Sequence, residues 1–178
     1  MKPATFLWLL YPLAIALGLH FLAPGYLALV ALVLLAFRWR HARQLERVWL
    51  PLAAMALLLS AISNDALGLK LYPVMINLGL LVSFAYSLYQ GPSMIERLAR
   101  LREPDLPASG VAYTRKVTWV WCGFFLINGA IALATALFAS QQLWTLYNGV
   151  VSYVLIGCLF AGEWCYRQWF IRSNKRAG

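Results

Sequence analysis

Long apolar runs separated by short clusters of arginine and lysine dominate this sequence. Six runs can be drawn: Ala4–Leu22, Tyr26–Trp39, Val48–Ile62, Leu67–Leu88, Val117–Phe138 and Leu143–Trp164. A spanning helix needs about 20 apolar residues, within a range of about 17–25. The first, fourth, fifth and sixth runs reach that length. The second and third are short and rely on flanking Arg and Trp side chains that stretch to the interface. Charged residues make up only 12% of the chain, about half the share in a soluble domain. A core formed by 178 residues cannot hide so much apolar surface from water, and lipid is the solvent that fits it. The predicted fold is all-α: one integral membrane domain over residues 1–178 with six transmembrane helices. Lys2 followed by an apolar run has the look of a secretory leader. No small-residue cleavage site follows, so the first run is expected to be retained.

Three connections are tight: Pro24-Gly25, Ser63-Asn64-Asp65 and Ala139-Ser140-Gln141-Gln142. Each is built from turn formers, so the six helices read as three hairpins. The other connections carry the charge. They hold Arg38, Arg40, Arg43 and Arg47, then Arg97, Arg100, Arg102, Arg115 and Lys116, then Arg167, Arg172, Lys175 and Arg176 in the tail. Six crossings put these and Lys2 on one side, leaving only Lys70 opposite. Short loops rich in Lys and Arg stay cytoplasmic, so both termini are expected on the cytoplasmic side of the membrane. Most tryptophans fall at the same interface, and Trp144 is expected at the other, where indole favours the headgroup level. The alternative is five spans, with the first run re-entrant and the N-terminus outside. Ala4 to Phe37 would form a straight helix of about 51 Å, and Pro24-Gly25 sits where a turn is needed. Six spans are therefore preferred.

The net charge of +9 does not imply nucleic acid. The basic residues lie in loop-sized blocks, with no zinc-finger spacing and no long basic helix. The most distinctive block is the cytoplasmic loop 92–116. Ser93 and Glu96 have capping-box spacing. Met94, Ile95, Leu98 and Leu101 share one helical face, Glu96, Arg97, Arg100 and Glu103 mainly the other, and Pro104 stops the helix. An amphipathic helix over 93–103 is predicted at the membrane surface, followed by an extended linker. Arg97, Arg100 and Arg102 are its candidate docking residues toward a partner or anionic lipid.

Polar groups within apolar runs are costly and therefore informative. Asn77 and Asn128 lie near the middle of the fourth and fifth spans. They can bond across a helix interface or line a substrate path. Tyr147 and Asn148 open the sixth span, as mouth-lining groups or interfacial anchors. Glu163 lies near its inner end, four residues before Arg167, so the two can pair. Gly79, Ser83 and Ser87 form one small-residue stripe, and Gly157 and Ala161 another. Cys122, Cys158 and Cys165 lack framework spacing and read as small apolar-segment side chains. His20 and His41 are far apart, and the sequence holds no catalytic motif, metal set or cofactor-binding loop. Leu10-Tyr11-Pro12 with Ile15 and Gly18 echoes Leu71-Tyr72-Pro73 with Ile76 and Gly79, either by hairpin duplication or by chance in a Leu-rich chain.

Pro92-Ser93-Met94-Ile95-Glu96-Arg97-Leu98, the later Leu106-Pro107 and the fifth and sixth spans resemble the intracellular septation protein A family of bacterial inner-membrane proteins. The matching residues are Pro92, Ile95, Arg97, Trp121, Phe124, Phe125, Gly129 and Trp144. Ala132 stands where that family tends to carry Asn, and Asn148 where it tends to carry Lys. The family is usually drawn with five spans. The likeness covers the C-terminal half, and the N-terminal half only in hydropathy. The fuller run through Leu71–Leu80, Ile95–Pro107 and Tyr113–Leu133 is similar to a sister group whose genes often accompany fatty-acid-like or aryl-polyene synthesis. The resemblance implies an envelope role without supplying a reaction. The expected function is non-enzymatic support of envelope assembly, or of the synthesis of a lipid-like envelope product, through membrane lipid and other inner-membrane proteins. The alternative is a small transporter or flippase for a lipid-like or polyene product, distinguished by a continuous polar cavity.

Overall fold

The computed structural model describes residues 11–40 and 46–176, and every regular element among them is helical. In chain order these are α1 Tyr11–Phe21, α2 Pro24–Trp39, α3 Glu46–Ser63, α4 Leu67–Lys70, α5 Tyr72–Gln90, α6 Met94–Arg100, α7 Ala108–Phe138 and α8 Gln141–Leu146. A π-helical turn, Tyr147–Val151, then leads into α9 Ser152–Arg176. Three helical stretches are long and apolar enough to cross a membrane: Leu67–Gln90, Ala108–Phe138 and Gln141–Gln168. Pro24–Trp39 and Ala53–Ser63 are shorter apolar helices. The chain is therefore a polytopic all-helical membrane protein. The expected position of both termini falls on residues outside the described set.

The tight turns gather at one end. Gly25 N–H donates to Asn64 Oδ1 at 2.9 Å, tying the first turn to the second. Asp65 Oδ1 accepts from Leu67 N–H at 2.6 Å and opens α4, while Ser60 Oγ donates to the Asp65 carbonyl. The fourth span is broken at Leu71. Pro73 has no N–H to continue the ladder, and α5 restarts with that proline in its first turn. The break leaves the Lys70 carbonyl free for another donor, and the indole N–H of Trp144 takes it at 3.2 Å. Trp144 is thus fully buried among the helices. A buried indole requires an acceptor, and the broken helix supplies one. Trp144 completes an apolar core with Ile15, Ala28, Leu35, Leu50, Ala53, Leu57, Leu69 and Ala136. Gly68 sits against α3 so closely that a Cβ would collide with the Ala56 carbonyl.

The most extensive packing is α5 on α7. Toward the other end of the bundle an aromatic cluster replaces the aliphatic core. Phe84 meets Phe125 edge-on at 5.1 Å, and Trp121 meets Phe160 of α9 at 4.6 Å. The α7 helix begins at Ala108, nine residues before the apolar run that predicts it, so residues 108–116 of the expected loop are helical. Its 31 residues extend about 46 Å, more than the roughly 30 Å hydrocarbon core. The first turns therefore project beyond that core and carry Arg115 and Lys116. The two small-residue stripes fare differently. Gly79 and Ser87 are buried on α5, whereas Gly157 and Ala161 on α9 are exposed.

Candidate functional site

Asn77, Asn128 and Tyr147 form a relay across three helical segments at mid-bundle. Asn128 Nδ2 donates to Asn77 Oδ1 at 3.1 Å, and Tyr147 OH donates to Asn128 Oδ1 at 2.9 Å. Asn77 Nδ2 closes the series on the Pro73 carbonyl at 2.9 Å. Both asparagines are buried. Gly129 makes the approach possible, because a Cβ there would stand 3.0 Å from Asn77 Cβ. Asn148 is also buried and belongs to a second group. Its Nδ2 donates to Thr135 Oγ1 at 3.1 Å and to the Trp144 carbonyl at 3.0 Å. Tyr147 and Asn148 both lie in the π-helical turn, a local widening that often marks functional positions. Their place at the head of the sixth run is visible in the sequence. The π geometry, Thr135 and the role of Gly129 are not, because none breaks the apolar pattern.

At the basic end, α6 is shorter than the expected 93–103 helix. It runs Met94–Arg100, and the N–H groups of Arg102 and Glu103 both turn back to the Ala99 carbonyl. The capping box does not form. Ser93 Oγ is buried without a partner, and Glu96 is 7% exposed instead of lying on the polar face. Hydroxyls from neighbouring helices cap α6. Ser87 Oγ accepts from Met94 N–H at 2.8 Å, and Thr118 Oγ1 from Ile95 N–H at 3.3 Å. This external capping frees Glu96 to face inward and take Arg100, whose Nε and Nη2 both lie 2.9 Å from Glu96 Oε1.

The three candidate docking arginines separate accordingly. Arg97 Nε donates to the Pro92 carbonyl at 2.8 Å and its Nη2 to the Gly91 carbonyl at 3.4 Å. Arg100 also donates to the Pro104 carbonyl at 2.9 Å. Both therefore brace the loop. Arg102 is exposed and makes no ion pair with a described residue. Leu98 and Leu101 are exposed beside it.

Glu163 lies on α9, away from the asparagine groups. It accepts from Tyr113 OH at 3.3 Å, and Arg167 Nε stands 3.8 Å from its Oε1. The Tyr113 ring stacks on Tyr166 at 5.9 Å. Below this junction α7 and α9 part to leave a half-open groove of about 550 Å³, walled by Val117, Val120, Trp121 and Leu159. Among the described residues, no three or more His, Cys, Asp or Glu side chains gather as a metal set would.

No family model matches the chain, and no solved structure does. Among curated proteins it is similar to the inner membrane-spanning protein YciB of Yersinia pestis (strain Pestoides F), at 31% identity over 158 residues, covering 83% of each chain. The YciB of Yersinia pseudotuberculosis serotype O:1b (strain IP 31758) matches to the same extent. The likeness thus extends well beyond the C-terminal half, where the quoted motifs lie. At that identity and coverage, the chain belongs to the YciB family of inner membrane-spanning proteins, which is the intracellular septation protein A family.

Proposed function

We propose that this inner-membrane protein is a non-enzymatic scaffold that supports envelope assembly, or the synthesis of a lipid-like envelope product, through other membrane proteins. One observation carries the reading: the mid-bundle amides are engaged with one another. Asn77, Asn128 and Tyr147 bond in series, and Asn148 bonds to Thr135 and Trp144. A transport path needs polar groups that face a passage, and these face neighbouring helices. The exposed surface of α6, with Arg102, Leu98 and Leu101, supplies a face for partners.

The topology that goes with this function is six spans in three hairpins, with both termini and loop 92–116 in the cytoplasm. It is supported by the clustering of the three tight turns at the end opposite α6. Cysteines placed at Lys2 and Gly178 label from the same side of oriented vesicles under six spans, and from opposite sides under five.

The functional test is a deletion strain whose envelope lipids and pigments are profiled by mass spectrometry. A scaffold role yields altered envelope composition without build-up of a single species on the inner side. Build-up of one species there supports transport instead.

A further inference from the structure

We propose that the groove between α7 and α9 is a binding site for one anionic phospholipid, with the phosphate held at Lys116 and an acyl chain along the apolar wall. The groove has the volume of a small-molecule site, about 550 Å³, within the usual range of about 300–1,000 Å³. It lies between two helices apolar enough to span a membrane, and Val120 and Gly162 on its edges are exposed. An occupant entering from the side is therefore a membrane component.

The wall alone selects nothing, because lipid tails are as apolar as leucine. Selection comes from the polar end. Glu163 is engaged there by Tyr113 OH and faces Arg167, so its charge is offset. Lys116 lines the same end, is exposed, and forms no ion pair with a described residue. Arg115 is exposed beside it. The rim is thus left positive, which complements a phosphate whose headgroup adds no positive charge. A zwitterionic headgroup would bring its ammonium toward Lys116, Arg115 and Arg167. Basic pockets between transmembrane helices on the cytoplasmic side recognise anionic headgroups in this way. On the topology proposed above, the site belongs to the cytoplasmic leaflet, but its chemistry does not depend on the scaffold reading.

Gly162 supplies the test. A Cβ there meets nothing within 4 Å, so a large side chain can fill the groove without displacing a neighbour. The full chain is reconstituted in nanodiscs containing equal parts phosphatidylglycerol and phosphatidylethanolamine, released, and weighed by native mass spectrometry. The expected result is one retained phosphatidylglycerol per chain, lost in Gly162→Trp. Lys116→Gln lowers its retention about five-fold, the effect of one lysine near an anionic surface, and Lys116→Arg restores it. If Gly162→Trp lowers the melting temperature, Lys116→Gln decides alone, since that side chain is exposed. Equal retention of the two lipids, retention unchanged in Lys116→Gln, or a lipid-free dimer as the main species overturns the proposal.

Discussion

Replacing Asn128 with leucine tests the central claim about the bundle interior. The Asn128 amide takes part in two interhelical hydrogen bonds, one to Asn77 and one from Tyr147. Interhelical bonds of this kind average about 0.6 kcal/mol in membrane proteins and reach about 1.7. Losing both costs roughly 1–3 kcal/mol. Leucine fills about the same space, so the packing change adds little. Asn77→Leu removes one of the same bonds and also the side-chain bond to the Pro73 carbonyl. The double variant should therefore fall short of the summed single costs by about 0.6–1.7 kcal/mol, the coupling of the shared bond. Tyr147→Phe should cost about 0.6 kcal/mol and lose its effect in the Asn128→Leu background. Reversible unfolding in bicelles, followed by steric trapping, measures each corner of the cycle. A stability for Asn128→Leu within about 0.3 kcal/mol of the parent, or strict additivity of the two asparagine changes, refutes the relay. Full loss of function with unchanged stability would instead assign the pair to a passage.

Three further outcomes are expected. Gly129→Leu should lower stability by about 1–3 kcal/mol, as overpacking does, because the added side chain meets Asn77 at the α5–α7 contact; thermal melts in detergent measure it. Trp144→Phe leaves the Lys70 carbonyl without its donor and should cost about 1–3 kcal/mol, read by the same melts, whereas Trp119→Phe on an exposed position should not register. Arg97→Ala should destabilise by about 1 kcal/mol or more through its two backbone acceptors. Arg102→Glu should leave the melting temperature unchanged and weaken complementation of a deletion strain.

The apolar runs made the helical class legible, and turn chemistry at Pro24-Gly25 and Ser63-Asn64-Asp65 located two of the tight connections. Asn77 and Asn128 stood out because an amide inside an apolar run needs an explanation wherever it falls. What hydropathy conceals is phase and partnership. Nothing in the run around Trp144 says that its indole turns inward, because the acceptor is created by a helix break more than seventy residues earlier. The capping box failed for a related reason. Ser93 and Glu96 have the local spacing, but Ser87 and Thr118 reach the same end of α6 from other helices. With those donors satisfied from outside, Glu96 could turn inward to Arg100. Residues 108–116 are too polar to look transmembrane, although they belong to α7 and continue it past the lipid.

The π-helical turn fixes the azimuth of everything that follows it. Each residue of an α-helix advances by about 100° around the axis, and a π turn accommodates one residue more than an α turn in the same circuit. The five residues Tyr147–Val151 therefore reset the compass bearing of α9 relative to α8. Trp144 and Asn148 point into the bundle on one bearing, while Phe160 and Glu163 reach α7 on another. Removing a single residue from the turn would close it to ordinary pitch in the same circuit and leave the far helix on its bearing, whereas winding all five residues at ordinary pitch would swing that helix by about 100°. Tyr113 would then face a different side chain, and the space beside it would change shape, although every residue lining it kept its identity.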